Sequence, residues 1–422
     1  MLAPERRRRS DLVAAATILV VAVLAAGVIW FRSDAHGTTS ETAPTPLPQA
    51  TTALAVPASL TEVWRAQSPL TSTPVVTGSA VVSGDDGGVN GLDPSTGETA
   101  WSYRRDVPLC AVTSAWNTAV AVFADDRGCA QVTELDGATG SRKAQRSSDA
   151  DSEVRLSDDG TYVTSQGDTR MELWRSDLVR TLEYGRVDAP QNPGTQPRTG
   201  CTLLSTASNS SRVAVLEQCP EESGARLTTM NPAPKDATEP QEYGSSVVAS
   251  LTSADGPVDG ARVLIASGDR VALSIPSHSG EPAKVALFDG NAQPLTEFDL
   301  PDGTVPEVSA DLYPTVVKSA NVFSWWTGSS TVALDLSDLS PQWTVPGALG
   351  PGTLMAGRLL LPVQDGAAVI DPSTGTAERT IPVDRGDYSG PVGLAVVGDV
   401  LIEQRGTDLV ALSGTEGQSS GE

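Results

Sequence analysis

Hydrophobic positions along this chain fall into two regimes. Leu12 to Phe31 is one apolar run of 20 residues without a charge. From about residue 60 onward, apolar residues come in short runs, each ended by Gly, Pro, Asp or Ser. The first regime predicts a helix rising about 30 Å, enough to cross the hydrocarbon core of a bilayer. The second predicts many short strands joined by tight turns, hence an all-β domain.

The short runs repeat. Asp93-Pro94-Ser95-Thr96-Gly97 recurs as Asp371-Pro372-Ser373-Thr374-Gly375, after the apolar stretches Val89 to Leu92 and Ala367 to Ile370. Degenerate copies carry Asp136 and Gly140, Asp289 and Gly290, and Asp335. A period of roughly 40 residues is that of β-propeller blades. The motif has a mechanical meaning: Asp accepts hydrogen bonds from amides two or three residues on, Pro presets the turn, and Gly takes a positive φ. Trp101 and Trp343 each stand eight residues after a motif Asp. That places them on the outgoing strand, where an aromatic ring fills space between neighbouring sheets.

Motifs and apolar runs divide the chain into blades at 75–105, 110–146, 153–187, 201–243, 261–300, 313–346 and 353–384, with a partial unit at 392–415. The partial unit lacks an outer strand. Leu60 to Arg65 supplies one, with Trp64 at the motif Trp position. A ring closed this way leaves no unpaired sheet between first and last blades. The expectation is eight blades, with seven as the alternative. Trp325 and Trp326 are adjacent on a predicted strand and therefore point to opposite faces; both read as packing between blades, with ligand stacking as the alternative.

The pattern Leu/Ile-Asp-x-x-Thr-Gly followed by Trp resembles the repeat of the pyrroloquinoline-quinone (PQQ)-like propellers. That group holds quinoprotein alcohol dehydrogenases and a non-enzymatic, BamB-like branch. The resemblance covers most of residues 60–415, and the first repeat matches in full. It implies the fold. For the enzymatic members it also implies a PQQ pocket with calcium, an adjacent-cysteine disulfide and a catalytic acid. This chain has no adjacent cysteines, so no catalytic, cofactor-binding or metal-binding residue carries over, and no cofactor is expected.

Arg6, Arg7, Arg8 and Arg9 precede the apolar run and only Arg32 directly follows it. The positive-inside rule then predicts a cell-membrane protein with residues 1–11 in the cytoplasm, 12–31 across the membrane and the rest outside. A cleaved signal peptide is the competing reading, but its apolar core is usually shorter. Residues 32–59, rich in Thr, Pro and Ala, read as a solvated linker. Residues 60–415 form the propeller, and 416–422 read as a disordered tail. Outside the cytoplasm disulfides are permitted. The local spacing favours Cys110 with Cys129 and Cys201 with Cys219, out of three connectivities.

Residues 1–32 hold five of the 29 basic and two of the 52 acidic residues, which leaves the remainder near −26. That argues against nucleic acid as a partner. His36 and His278 are the only histidines, and neither sits in a hydrolytic or zinc-binding pattern. Gly84 to Gly88 and Ser157 to Gly160 carry paired Asp residues but lack the alternating ligands of a calcium loop. The sequence thus reads as a membrane-anchored, extracytoplasmic interaction module with a protein or cell-envelope partner. A PQQ-dependent oxidoreductase and a small-ligand sensor are the alternatives.

Overall fold

A computed structural model describes residues 8–33, 36–188, 190–252, 260–278, 280–304 and 316–414. The expected tail at 416–422 lies outside these. The described chain forms eight antiparallel sheets arranged as an eight-bladed propeller. Blade 1 comprises Val75–Val76, Val81–Asp85, Gly88–Leu92 and Thr99–Arg105, running from the axis outwards. Blades 2 to 7 follow the same up-and-down order, beginning at Leu109, Arg155, Thr202, Arg262, Val316 and Thr353. Blade 8 takes Val392–Val397, Val400–Arg405 and Asp408–Ser413 from the C-terminal end, and its outer strand, Thr61–Gln67, from the N-terminal end. Trp64 lies opposite Ala411 in that pairing. Arg65 and Gln67 both reach Asp408 across it. The eight-blade expectation holds. Blade 4 extends beyond its expected end at 243, because the insert 231–241 delays its outer strand to Glu242–Thr252.

Each sheet packs on both faces, so the second and third strands are buried nearly throughout. This is why they read as continuous apolar runs. The core is a series of contacts between blades. Val82, Val89, Trp101 and Tyr103 of blade 1 meet Ala119, Ala121, Phe123 and Leu135 of blade 2 in one such cluster. Trp325 packs against Leu264, Val285 and Leu287 of blade 5. Trp326 faces the other way, and its indole donates to the Ala348 carbonyl ahead of blade 7 (2.9 Å).

The repeated pentapeptide builds these interfaces. Asp93 Oδ1 accepts from the amides of Ser95 (2.8 Å) and Thr96 (3.2 Å), and Gly97 adopts φ +73°. The Trp64 ring lies directly on Gly97, where a Cβ would stand 2.7 Å from it, and Trp64 Nε1 donates to Pro94 O (2.8 Å). The same arrangement places Trp101 on Gly140 and Trp343 on Gly375. Their indoles donate to the carbonyls of Gly137 (3.0 Å) and Pro372 (3.1 Å). Each of these Trp residues therefore docks on the motif turn of the next blade, and the blade 8–blade 1 seam is built like those between blades 1 and 2 and between blades 6 and 7.

Ahead of the ring, Arg9–Arg32 is one helix whose stretch to Phe31 is long and apolar enough to cross a membrane, with its apolar side chains exposed. The segment read as a solvated linker is different in the structure. Thr38–Glu41 pairs with Thr99–Arg105 as a fifth strand on blade 1. The chain then crosses the motif-turn side of the ring. The amides of Ala43, Leu47 and Ala50 donate to the carbonyls of Thr139, Ala138 and Gly78 (2.8–3.0 Å). Arg379 donates to the carbonyls of Val56 and Pro57 (2.9 Å each). Composition misleads here because the segment docks through its backbone, which amino-acid content does not report. Cys110–Cys129 and Cys201–Cys219 are disulfide-bonded and no cysteine is free.

Candidate functional site

The innermost strands line a central channel with a volume of about 860 Å³. Its wall combines aliphatic residues of Arg262–Ser267 with polar groups at the ends of Arg155–Asp158 and Thr202–Asn209. Three side chains give it chemical character. Trp326 presents part of its ring, Lys318 sits 5.9 Å from the Phe323 ring centroid, and Asp158 lies at the channel wall. Asp158 is solvent-exposed but enclosed by the channel wall, and desolvation there, with a smaller push from the neighbouring Asp159, raises its pKa to about 6 against a hydrogen bond from the Gly160 amide. Asp159 is held differently. It accepts from the amides of Thr161 (2.7 Å) and Tyr162 (2.8 Å) and from the Ser208 hydroxyl. The paired Asp residues at 158 and 159 thus form a turn, and those at 85 and 86 another, with Asp85 bound by Arg104 (2.7 Å).

Other ionisable groups are buried between sheets. Glu172 accepts from Arg170 (2.7 Å), Ser148 (2.7 Å), Trp174 (2.9 Å), Arg146 (3.0 Å) and Arg180 (3.2 Å). Burial alone would raise its pKa, but Arg146, Arg170 and Arg180 hold it down at about 2. Glu217 accepts from the Tyr184 hydroxyl (2.9 Å) and from Thr228 (2.6 Å), and burial raises both Glu217 and Tyr184. Glu403 binds Arg385 (2.8 Å) and Arg405 (2.7 Å). These clusters join neighbouring strands and blades, and their carboxylates are fully engaged in doing so. Alternating charges such as Arg170-Met171-Glu172 signal them in the sequence, since one strand face carries both partners.

The predicted site residues come together in sets. Asp93 and Gly97 meet Trp64; Asp136 and Gly140 meet Trp101; Asp371 and Gly375 meet Trp343. Asp335 holds its own turn through the amides of Ser337 (2.7 Å) and Asp338 (3.2 Å). None of these residues faces the channel lining. His36 contacts the Phe31 ring, and His278 makes a bridge with Glu281. Among the described residues no group of three or more His, Cys, Asp or Glu side chains converges as a metal site. The arrangement therefore offers surfaces and a lined channel for binding.

Residues 57–169 match the family model described as outer membrane protein assembly factor BamB. No protein of curated function matches the chain. Among solved structures, BamB from Moraxella catarrhalis is 14% identical, with a TM-score of 0.48, over 84% of this chain and 99% of that one. The computationally designed Ika8 protein is also 14% identical, with a TM-score of 0.49, over 86% of this chain and 99% of its own. Sqt1 from Saccharomyces cerevisiae is 10% identical, with a TM-score of 0.50, over 88% of this chain and all of that one. The chain is an eight-bladed β-propeller, and residues 57–169, the first part of its ring, match the BamB family model.

Proposed function

We propose that this protein is a membrane-anchored, extracytoplasmic propeller that acts as a non-enzymatic protein-interaction scaffold of the cell envelope. The observation that carries the reading is how the repeat is used. Motif Asp, Gly and Trp residues are consumed in joining blades, and the buried carboxylates in bracing them, so the loops and channel remain as the binding surfaces. The apolar helix supports anchoring, and two disulfides suit an oxidising compartment. The Arg6 to Arg9 cluster ahead of the helix supports a cytoplasmic N-terminus.

The competing oxidoreductase reading is tested by adding PQQ and calcium to the purified protein. The scaffold reading expects neither a stoichiometric quinone absorbance shift nor dye reduction; both together would overturn it. A second reading, a small-ligand sensor, is favoured specifically by the channel with Trp326, Lys318 and Asp158 in its wall.

A further inference from the structure

The fifth strand of blade 1 joins the membrane helix to the ring at a defined place. The helix ends at Arg32 and the strand begins at Thr38. Gly37 lies against the loop between blades 1 and 2, where its carbonyl accepts from the Asp106 amide (2.9 Å). Thr38 pairs with Arg105, at the same end of the sheet as the Asp85–Gly88 turn, and the Arg105 amide donates to Gly87 O (2.8 Å). The motif turn beginning at Asp93 is at the opposite end of the outer strand, about 23 Å away for seven extended residues.

We infer that residues 38–59 are a docking strap, which holds the Asp85–Gly88 end of blade 1 beside the bilayer. This rests on the proposed membrane anchoring. Six extended steps separate Arg32 from Thr38, so the strand's start cannot move farther than about 22 Å from the helix end. A free linker over 33–59 would reach about 90 Å. The strap is anchored along its length by its pairing with blade 1 and by bonds to Thr139, Ala138, Gly78 and Arg379. Ala53 and Val56 also pack against the cluster shared by blades 7 and 8. The strap therefore gives the ring a fixed attitude, with one loop face towards the lipid and the motif-turn face away from it. Partners on the lipid side must lie in the layer directly above the membrane.

Full-length protein in phosphatidylcholine vesicles containing a nickel-chelating lipid tests this. All four native cysteines are disulfide-bonded, so Asp86→Cys or Glu98→Cys introduces a single thiol for a spin label. Relaxation of the label by headgroup nickel should be at least about five-fold stronger at position 86 than at 98. Inserting 20 Gly/Ser residues between Gly37 and Thr38 leaves the ring and strap intact and should abolish the difference. Replacing Thr39 and Ser40 by Pro should reduce it. Equal relaxation at both positions in protein that floats with the vesicles would overturn the strap while leaving the anchor standing. Failure to float would overturn the anchor itself, and the strap's role with it.

Discussion

At the scale of single residues, the ring depends on a few positions where backbone conformation and contact coincide. Gly97 has φ +73° and lies under Trp64, so Gly97→Ala meets both backbone strain and a steric clash. The expected loss is about 2–4 kcal/mol in denaturant unfolding. Gly160 has φ +85° with open space around it, and its Ala variant should lose only about 1 kcal/mol. Similar losses at the two sites would mean that Trp64 does not bear on Gly97. Glu172 gives a pH-dependent case. Its pKa is held at about 2, below its unfolded value, so its contribution is complete above about pH 4.3 and falls away towards pH 2. Glu172→Gln should cost about 3–5 kcal/mol at pH 7, measured by chemical denaturation, and much less at pH 2. Asp158 runs the other way. Raised to about 6, its protonated form is the one the folded state favours, so its stabilising effect is present at low pH and lost as pH rises through 6. Asp158→Asn should raise the melting temperature at pH 8 and leave it unchanged at pH 4, the gain being small because channel water screens the site.

At the scale of elements, the outcome depends on which strands carry side chains into an interface. Thr61–Gln67 brings Trp64 into the blade 8–blade 1 seam, and its loss exposes a sheet edge. Deleting Leu60 to Arg65 should cost more than the roughly 3–5 kcal/mol of a buried Trp. Replacing Thr38–Glu41 by glycines keeps the backbone pairing, loses side chains that are mostly exposed and raises the entropy cost of ordering the strand by roughly 0.5 kcal/mol per residue, about 2 kcal/mol in all. Comparing melting temperatures ranks the two directly, and equal effects would refute the ring-closure assignment. Reducing either disulfide should lower stability by roughly 3 kcal/mol in the chain-entropy model. Much of this architecture was legible in the sequence. The Asp-to-Gly turns and their Trp partners gave the blades, because a tight turn and a large aromatic leave strong local signatures. The strap was not legible, since Thr38 to Pro57 dock through backbone groups and a few small apolar side chains, Ala43, Ala50, Ala53 and Val56, scattered among Thr and Pro. Trp326 at the channel was read as packing between blades ahead of ligand stacking, because alternation along a strand tells opposite faces apart but not what lies beyond each. The buried carboxylates needed several blades in register before their partners met.

At the scale of the whole molecule, the proposed topology would place the ring outside the cell, its loops held a short distance from the bilayer by the N-terminal helix. A photo-crosslinking amino acid placed at exposed loop positions of the full-length protein in intact cells tests the scaffold reading most directly. Asp86 and Glu98, at opposite ends of blade 1, are suitable positions, with buried Leu216 as the control. The account predicts a reproducible adduct with one envelope protein from at least one loop position and none from the control. Absence of any adduct from the loop positions, together with PQQ uptake and dye reduction by the purified protein, would contradict it.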